Sequence, residues 1–164
     1  MPAWATPGTG PPPAAAAQAL LAAHEAMVGQ LCQPGALAGW DRPVQRIDTH
    51  LSTLLVAGDR VFKLKKPVAF GFVDFSTAAA RHDACEQELR LNRRTAARWY
   101  LGVVAGRQRD GGAVVDAPGG RAAPAPVLDW AVQMRHFDAR QGLDRLADEG
   151  RLTRDHIDAL AQAV

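Results

Sequence analysis

Leu51-Ser52-Thr53-Leu54-Leu55-Val56-Ala57-Gly58-Asp59-Arg60-Val61-Phe62-Lys63-Leu64-Lys65-Lys66-Pro67 is the stretch that decides the fold. Leu51, Thr53 and Leu55 alternate with Ser52, Leu54 and Val56, the period of two that a strand requires. Gly58-Asp59 offers a turn, and Arg60 to Lys65 resumes the alternation as a second strand. A Gly-Asp pair leaves the register of this hairpin open. Pro67 stops the second strand, because proline cannot donate to a ladder and restrains its predecessor.

On the N-terminal side, residues 14 to 31 place Leu20, Leu21, Ala23, Met27, Val28 and Leu31 at near-helical spacing, and Pro34-Gly35 ends the pattern. Residues 1 to 13 hold five prolines among small side chains and read as a flexible tail. On the C-terminal side, the apolar stretch from Val68 to Phe75 crosses to a helix that Ser76 or Thr77 can cap and that runs to about Arg94. Tyr100 to Ala105 reads as a strand, Arg107 to Gly120 as a Gly-rich hairpin or loop, and Val127 to Met134 as another strand. Residues 141 to 164 look helical in two pieces divided near Gly150, with Thr153 a candidate cap. The chain divides into a tail (1–13), an N-terminal helical segment (14–46), a mixed central lobe (47–138) and a helical C-terminal piece (139–164), an α+β arrangement.

Bulk numbers narrow the function classes. At 164 residues, the chain suits one ordinary domain and is short for a two-lobed enzyme. A net charge of +2 attracts a polyphosphate but is far from the charge of a nucleic-acid tail, and the arginines lack aromatic interleaving, so no nucleic-acid partner is expected. Cys32 and Cys85 cannot complete a zinc site, and a reduced, cytoplasmic protein is the simplest reading. No apolar run of about eighteen residues is present, so no membrane partner is expected.

The chemistry concentrates on the lysines. All of them fall within one four-residue window, Lys63, Lys65 and Lys66, and every other strongly basic residue is an arginine. Period two sets Lys63 and Lys65 on one face with Val61, and Lys66 on the other with Phe62 and Leu64. An ammonium on a sheet face is costly unless it meets an anion, either a phosphate or a carboxylate of the following helix. The bland alternative is a solvated edge strand that its lysines protect from pairing. In the helix, Glu86 can pair with Arg90 at i,i+4, whereas Glu88 shares a stripe with Cys85 and Leu91 and can point inward to a strand lysine. His50 reads as a satisfied hairpin residue, and His136-Phe137-Asp138 follows its strand too directly to be a catalytic loop.

Several ordered blocks carry a family likeness: Asp48-Thr49-His50-Leu51-Ser52, Val61-Phe62-Lys63-Leu64-Lys65-Lys66-Pro67-Val68, Gly71-Phe72-Val73-Asp74-Phe75-Ser76-Thr77 and Cys85 to Arg94. Tyr100 to Val104 and Ala131 to Arg135 continue it. Together they closely resemble the N-terminal region of the bacterial aminoglycoside phosphotransferase-like enzymes, often fused to a C-terminal P-loop kinase domain. The resemblance implies a protein-kinase-like small lobe over 47–138, a twisted antiparallel sheet with a packed helix, flanked by N-terminal and C-terminal helices. It makes residues 139–164 the start of a truncated large lobe.

By the same resemblance, Lys63 touches nucleotide phosphates, with Lys65 as the fallback, and Glu88 holds the lysine, with Glu86 as the fallback. Val132 to Arg135 resembles the inter-lobe connector, which puts Gln133, Met134 and Arg135 at the adenine edge. ATP with magnesium is the implied cofactor. No Gly-x-Gly-x-x-Gly or P-loop motif is present, and the family's catalytic aspartates belong beyond the connector, so no catalytic residue is assigned and little transfer activity is expected. The resemblance thus leads to a truncated nucleotide-binding lobe of an ATP-dependent phosphotransferase, whose partners are a nucleotide and a C-terminal lobe. The alternative is a non-catalytic binding or assembly module with a protein partner.

Overall fold

The computed structural model describes residues 14–109, 111–115 and 124–163. The tail expected over 1–13 and residues 116–120 of the hairpin or loop expected over 107–120 lie outside the described residues. The elements run α1 (Ala14–Leu31), β1 (Gln45–Asp48), β2 (Ser52–Ala57), β3 (Arg60–Lys65), β4 (Ala69–Phe70), β5 (Val73–Asp74), α2 (Ala78–Ala96), β6 (Tyr100–Arg109), β7 (Gly112–Val115), β8 (Val127–Arg135), α3 (Leu143–Asp148) and α4 (Arg154–Ala163). A short 3-10 turn covers Ala139–Gln141.

Six strands form one twisted, curved antiparallel sheet in the order β1-β2-β3-β8-β6-β7, while β4 and β5 make a separate small hairpin. The β2–β3 register runs from Ser52 opposite Lys65 to Ala57 opposite Arg60, so Gly58-Asp59 is a two-residue turn. Gly58 has φ +62°, the left-handed region that glycine enters without penalty, and the Trp40 ring closes over it. β3 lies between β2 and β8, an interior strand whose ladder is occupied on both sides. Its lysines therefore guard no sheet edge, and the edge-strand reading is corrected.

Alternation gives the sheet two faces. Leu55, Ala57, Phe62, Leu64 and Ala131 share one face and pack against Met27, Val28 and Leu31 of α1, together with Ala113 and Val115 of β7. Fully burying the Leu, Met, Val and Phe side chains among these contributes about 1.5–3 kcal/mol each, which makes this layer the main apolar core. Val61, Lys63, Lys65 and Val132 take the opposite face, the side on which α2 lies along β8 and β6.

Thr77, rather than Ser76, caps α2: its Oγ1 accepts from the Ala80 N–H at 3.1 Å. Arg81, Cys85 and Leu89 form the buried stripe of α2. Leu91, expected on the Cys85–Glu88 stripe, is half exposed instead, because the inward line turns through Leu89 at i+4 from Cys85. The stretch from Val68 to Phe75 is more structured than a crossover, since it contains the β4–β5 hairpin. At the C-terminal end, Gly150 at φ +66° ends α3, and Thr153 Oγ1 accepts from the His156 N–H at 3.4 Å ahead of α4.

Candidate functional site

The site is built by one strand and one helix. β3 presents Lys63 and Lys65 toward α2, and Glu88 of α2 reaches back between them. Lys63 Nζ donates to Glu88 Oε1 at 2.8 Å, and Lys65 Nζ donates to Glu88 Oε2. The side chains of Glu88 and Lys65 are 12% and 10% exposed, and that of Lys63 is 27% exposed. Burial by itself would raise the Glu88 carboxyl, but the hydrogen bonds from Lys63 and Lys65 outweigh it and hold the group below the usual carboxylate range. Phe75 adds a ring whose centroid lies 5.7 Å from Lys65 Nζ, within reach of a cation–π contact.

The β1–β2 turn covers the outer side. Thr49 and Ser52 close it: Thr49 N–H and Oγ1–H both donate to Ser52 O, and Ser52 N–H donates back to Thr49 Oγ1. A cleft of about 460 Å³ lies between this turn and the lysines, lined by His50, Leu51, Leu54, Lys63, Lys65 and Phe75, among others. His50 is exposed in this turn and makes no hydrogen bond with the described residues.

The remaining residues separate. Lys66 leaves the strand and donates to Thr49 O at 2.8 Å, with Asp48 Oδ1 at 3.0 Å. Arg46, Lys66 and Thr53 all hydrogen-bond the Asp48 carboxylate and hold it far below its ordinary value. Glu86 does not pair with Arg90; its neighbour is His82 Nε2 at 3.7 Å, one turn earlier. Of the connector residues, Met134 stands opposite Val61 on the lysine face, whereas Gln133 stands opposite Phe62 on the α1 face and is buried there. Arg135 is exposed at the end of β8, where its N–H donates to Trp99 O at 2.8 Å. In the His136-Phe137-Asp138 segment, Arg140 binds the Asp138 carboxylate through Nε and Nη2 and holds it down to about 2.

A buried ion pair escaped the sequence reading. Arg81 Nε donates to both oxygens of Asp129, at 2.8 and 2.9 Å, and Arg81 Nη1 donates to Phe75 O at 2.8 Å. Its signal was available: an arginine four residues before buried Cys85 lies on the inward stripe of α2, and Asp129 interrupts an apolar strand. Among the described residues, no group of three or more His, Cys, Asp or Glu side chains is placed to hold a metal ion, and no helix is long and apolar enough to cross a membrane. Cys32 and Cys85 are free thiols, and burial pushes Cys85 up to about 11. The cluster thus brings two oriented ammonium groups onto one shared carboxylate.

Comparison with known proteins adds a limited frame. No family model matches the chain, and no solved structure matches it. Three uncharacterized proteins, two from strains of Mycobacterium tuberculosis and one from Mycobacterium bovis, are 37% identical to it over 117 residues. Each match covers 71% of this chain and 21% of the relative, so the chain spans about a fifth of the length of the curated relatives it matches.

Proposed function

We propose that this chain is a binding module without catalytic machinery of its own, whose ligand is a polyanion of the nucleotide-phosphate type held at Lys63 and Lys65. The observation that carries this reading is a charge imbalance: two lysine ammonium groups converge on the single carboxylate of Glu88, at a place where all three are largely withdrawn from water. One positive charge is left over, and an anion in the adjoining cleft would neutralise it with charge-assisted hydrogen bonds. Glu88 then serves as a positioning group, setting both ammonium groups toward the cleft.

A strand lysine held by a helix glutamate favours a narrower second reading. The resemblance to aminoglycoside phosphotransferase-like enzymes would make the polyanion the triphosphate of ATP with magnesium, and the chain the nucleotide-gripping lobe of a larger phosphotransferase. Lys63 and Lys65 suit the phosphates in charge and reach. Magnesium would then be carried on phosphate oxygens, since it commonly binds through substrate phosphates and retained water.

Calorimetric titration with MgATP, MgADP and inorganic tripolyphosphate, alongside an assay of γ-phosphate release, tests both readings. The expected result is saturable binding without turnover, and a loss of affinity of at least about tenfold in Lys65→Met. No saturable binding of any of the three would overturn the polyanion reading. Sustained γ-phosphate release would overturn the non-catalytic one, and tripolyphosphate binding without any preference for ATP would remove the nucleotide.

A further inference from the structure

Gln133 puts an amide into the apolar layer on the α1 face of the sheet. It is 3% exposed and stands opposite Phe62 of β3 and Gly102 of β6. Phe62 offers it no polar atom, and Gly102 has no side chain to offer; even a Cβ there would meet nothing within 4 Å. The Gln133 amide accordingly makes no hydrogen bond with the described residues. Among those residues, His24 Nδ1 is the one side-chain atom that is both unpartnered and sealed from water, so the amide nitrogen and oxygen of Gln133 are open to a water-sized probe. They open to a cleft of about 270 Å³ that Gln133 lines.

The rest of the lining fixes what can enter. Leu37, Ala57 and Phe62, all buried, supply apolar surface beside the amide, and the half-buried Trp40 ring adds a flat wall. Trp40 Nε1 already donates to Pro43 O at 3.4 Å, so the ring brings no free donor, and the Arg42 guanidinium lies 5.5 Å from its centroid. Asp59 and Arg60 complete the polar lining; their side chains are 75% and 34% exposed and pair with each other at 3.3 Å, at the solvent side of the cleft. The Gln133 amide is thus the polar group withdrawn from water, and it presents a donor and an acceptor side by side whichever way it is turned.

We propose that this cleft binds a small uncharged molecule made of one flat apolar ring bearing a primary amide or lactam. The ligand's N–H donates to the Gln133 carbonyl oxygen, its C=O accepts from the Gln133 N–H, and the ring lies along Trp40. A carboxylate would set an acceptor-only group against the Gln133 oxygen, and an ammonium would set a donor-only group against its nitrogen. Neither charge would find a countercharge beside the amide, because Arg60 and Asp59 stand at the solvent side and are already paired. The volume suits a single ring and lies just below the usual span of small-molecule clefts, which excludes larger ligands. This cleft lies on the face opposite the lysine pair and shares no lining residue with the lysine cleft, so it stands or falls apart from it.

The test uses the full chain labelled with nitrogen-15 and carbon-13, so that the Gln133 side-chain amide is assigned through its own backbone, and three probes of one shape: benzamide, benzoate and benzylamine. The expected result is a saturable shift of the Gln133 amide signals with benzamide, at an affinity at least about tenfold above that for either charged probe. Gln133→Leu, an exchange of similar volume that removes both hydrogen bonds, should lower benzamide affinity at least about tenfold, read by saturation transfer to the ligand. Gln133 signals in the parent that respond to none of the probes would mean that the cleft holds only water and would overturn the proposal. So would a response to benzoate or benzylamine equal to that for benzamide, or benzamide affinity undiminished in Gln133→Leu.

Discussion

Replacing Glu88 by alanine removes the acceptor that Lys63 and Lys65 share and leaves two like charges side by side in a half-buried setting. Water can reach Lys63 more easily than Lys65, so the cost falls below that of breaking a fully buried pair, at about 2–3 kcal/mol. Lys65→Met acts in the opposite sense. It leaves Lys63 and Glu88 as a neutral pair, and urea denaturation should place it within about 1 kcal/mol of the parent while its anion affinity falls. Equal destabilisation by the two substitutions would mean that the charge excess is not real. Acid reveals a different residue. Burial pushes the His24 imidazole below its ordinary 6.5, so in the interval beneath that value the unfolded chain binds a proton that the folded chain does not. Its contribution is therefore complete above pH 6.5 and is lost as pH falls toward the lowered folded value. Glu88 and Asp48, both depressed, add further losses at lower pH. Urea midpoints at pH 7.5 and 5.5 should drop in the parent and drop less in His24→Phe, and an unchanged difference in that variant would refute the assignment.

At the level of elements, the β2–β3 hairpin was readable because three signals agree: the alternation, the Gly58-Asp59 pair and Pro67. Its register was not readable, because it depends on Gly58 adopting a left-handed backbone beneath the Trp40 ring. A Cβ on residue 58 would stand 2.6 Å from that ring, so Gly58→Ala combines the left-handed penalty with displacement of Trp40. The expected loss is about 2 kcal/mol, read from the urea midpoint, with fluorescence of the tryptophans reporting the ring's movement. A midpoint equal to the parent's would show that the ring yields freely. β1 escaped the pattern because all four of its residues are exposed, so it joins the sheet by backbone pairing with β2 and carries no apolar alternation. β4 and β5 escaped for another reason, since two residues apiece are too short to show any period. Spacing favoured Glu88 as the inward residue, and the resemblance kept Glu86 as its fallback. The packing of Leu89 separated them by turning Glu88 under the sheet and leaving Glu86 beside His82.

Across the molecule, apolar surface is distributed unevenly. The α1 face of the sheet is covered, whereas α4 has no buried side chain among its described residues and holds Ile157 and Leu160 at 47% and 46% exposure. These two residues lie three apart on one side of the helix, so they form a short apolar stripe, and Phe137 and Leu143 add exposed apolar surface earlier in the same C-terminal segment. Folding of the lobe does not require the stripe, because the packed core draws on α1, β2, β3, β7 and β8. An apolar stripe left exposed among the described residues is the feature that an assembly module would use, through association with another polypeptide or a second copy. The consequence can be measured. Sedimentation of the parent should show association that rises with concentration, and the double substitution Ile157→Glu with Leu160→Glu should abolish it while moving the urea midpoint by no more than about 0.5 kcal/mol. A parent that stays monomeric throughout would remove the assembly alternative and leave the anion site untouched. A double variant that unfolds would instead make α4 part of the folding unit, which the exposure of its described apolar side chains argues against.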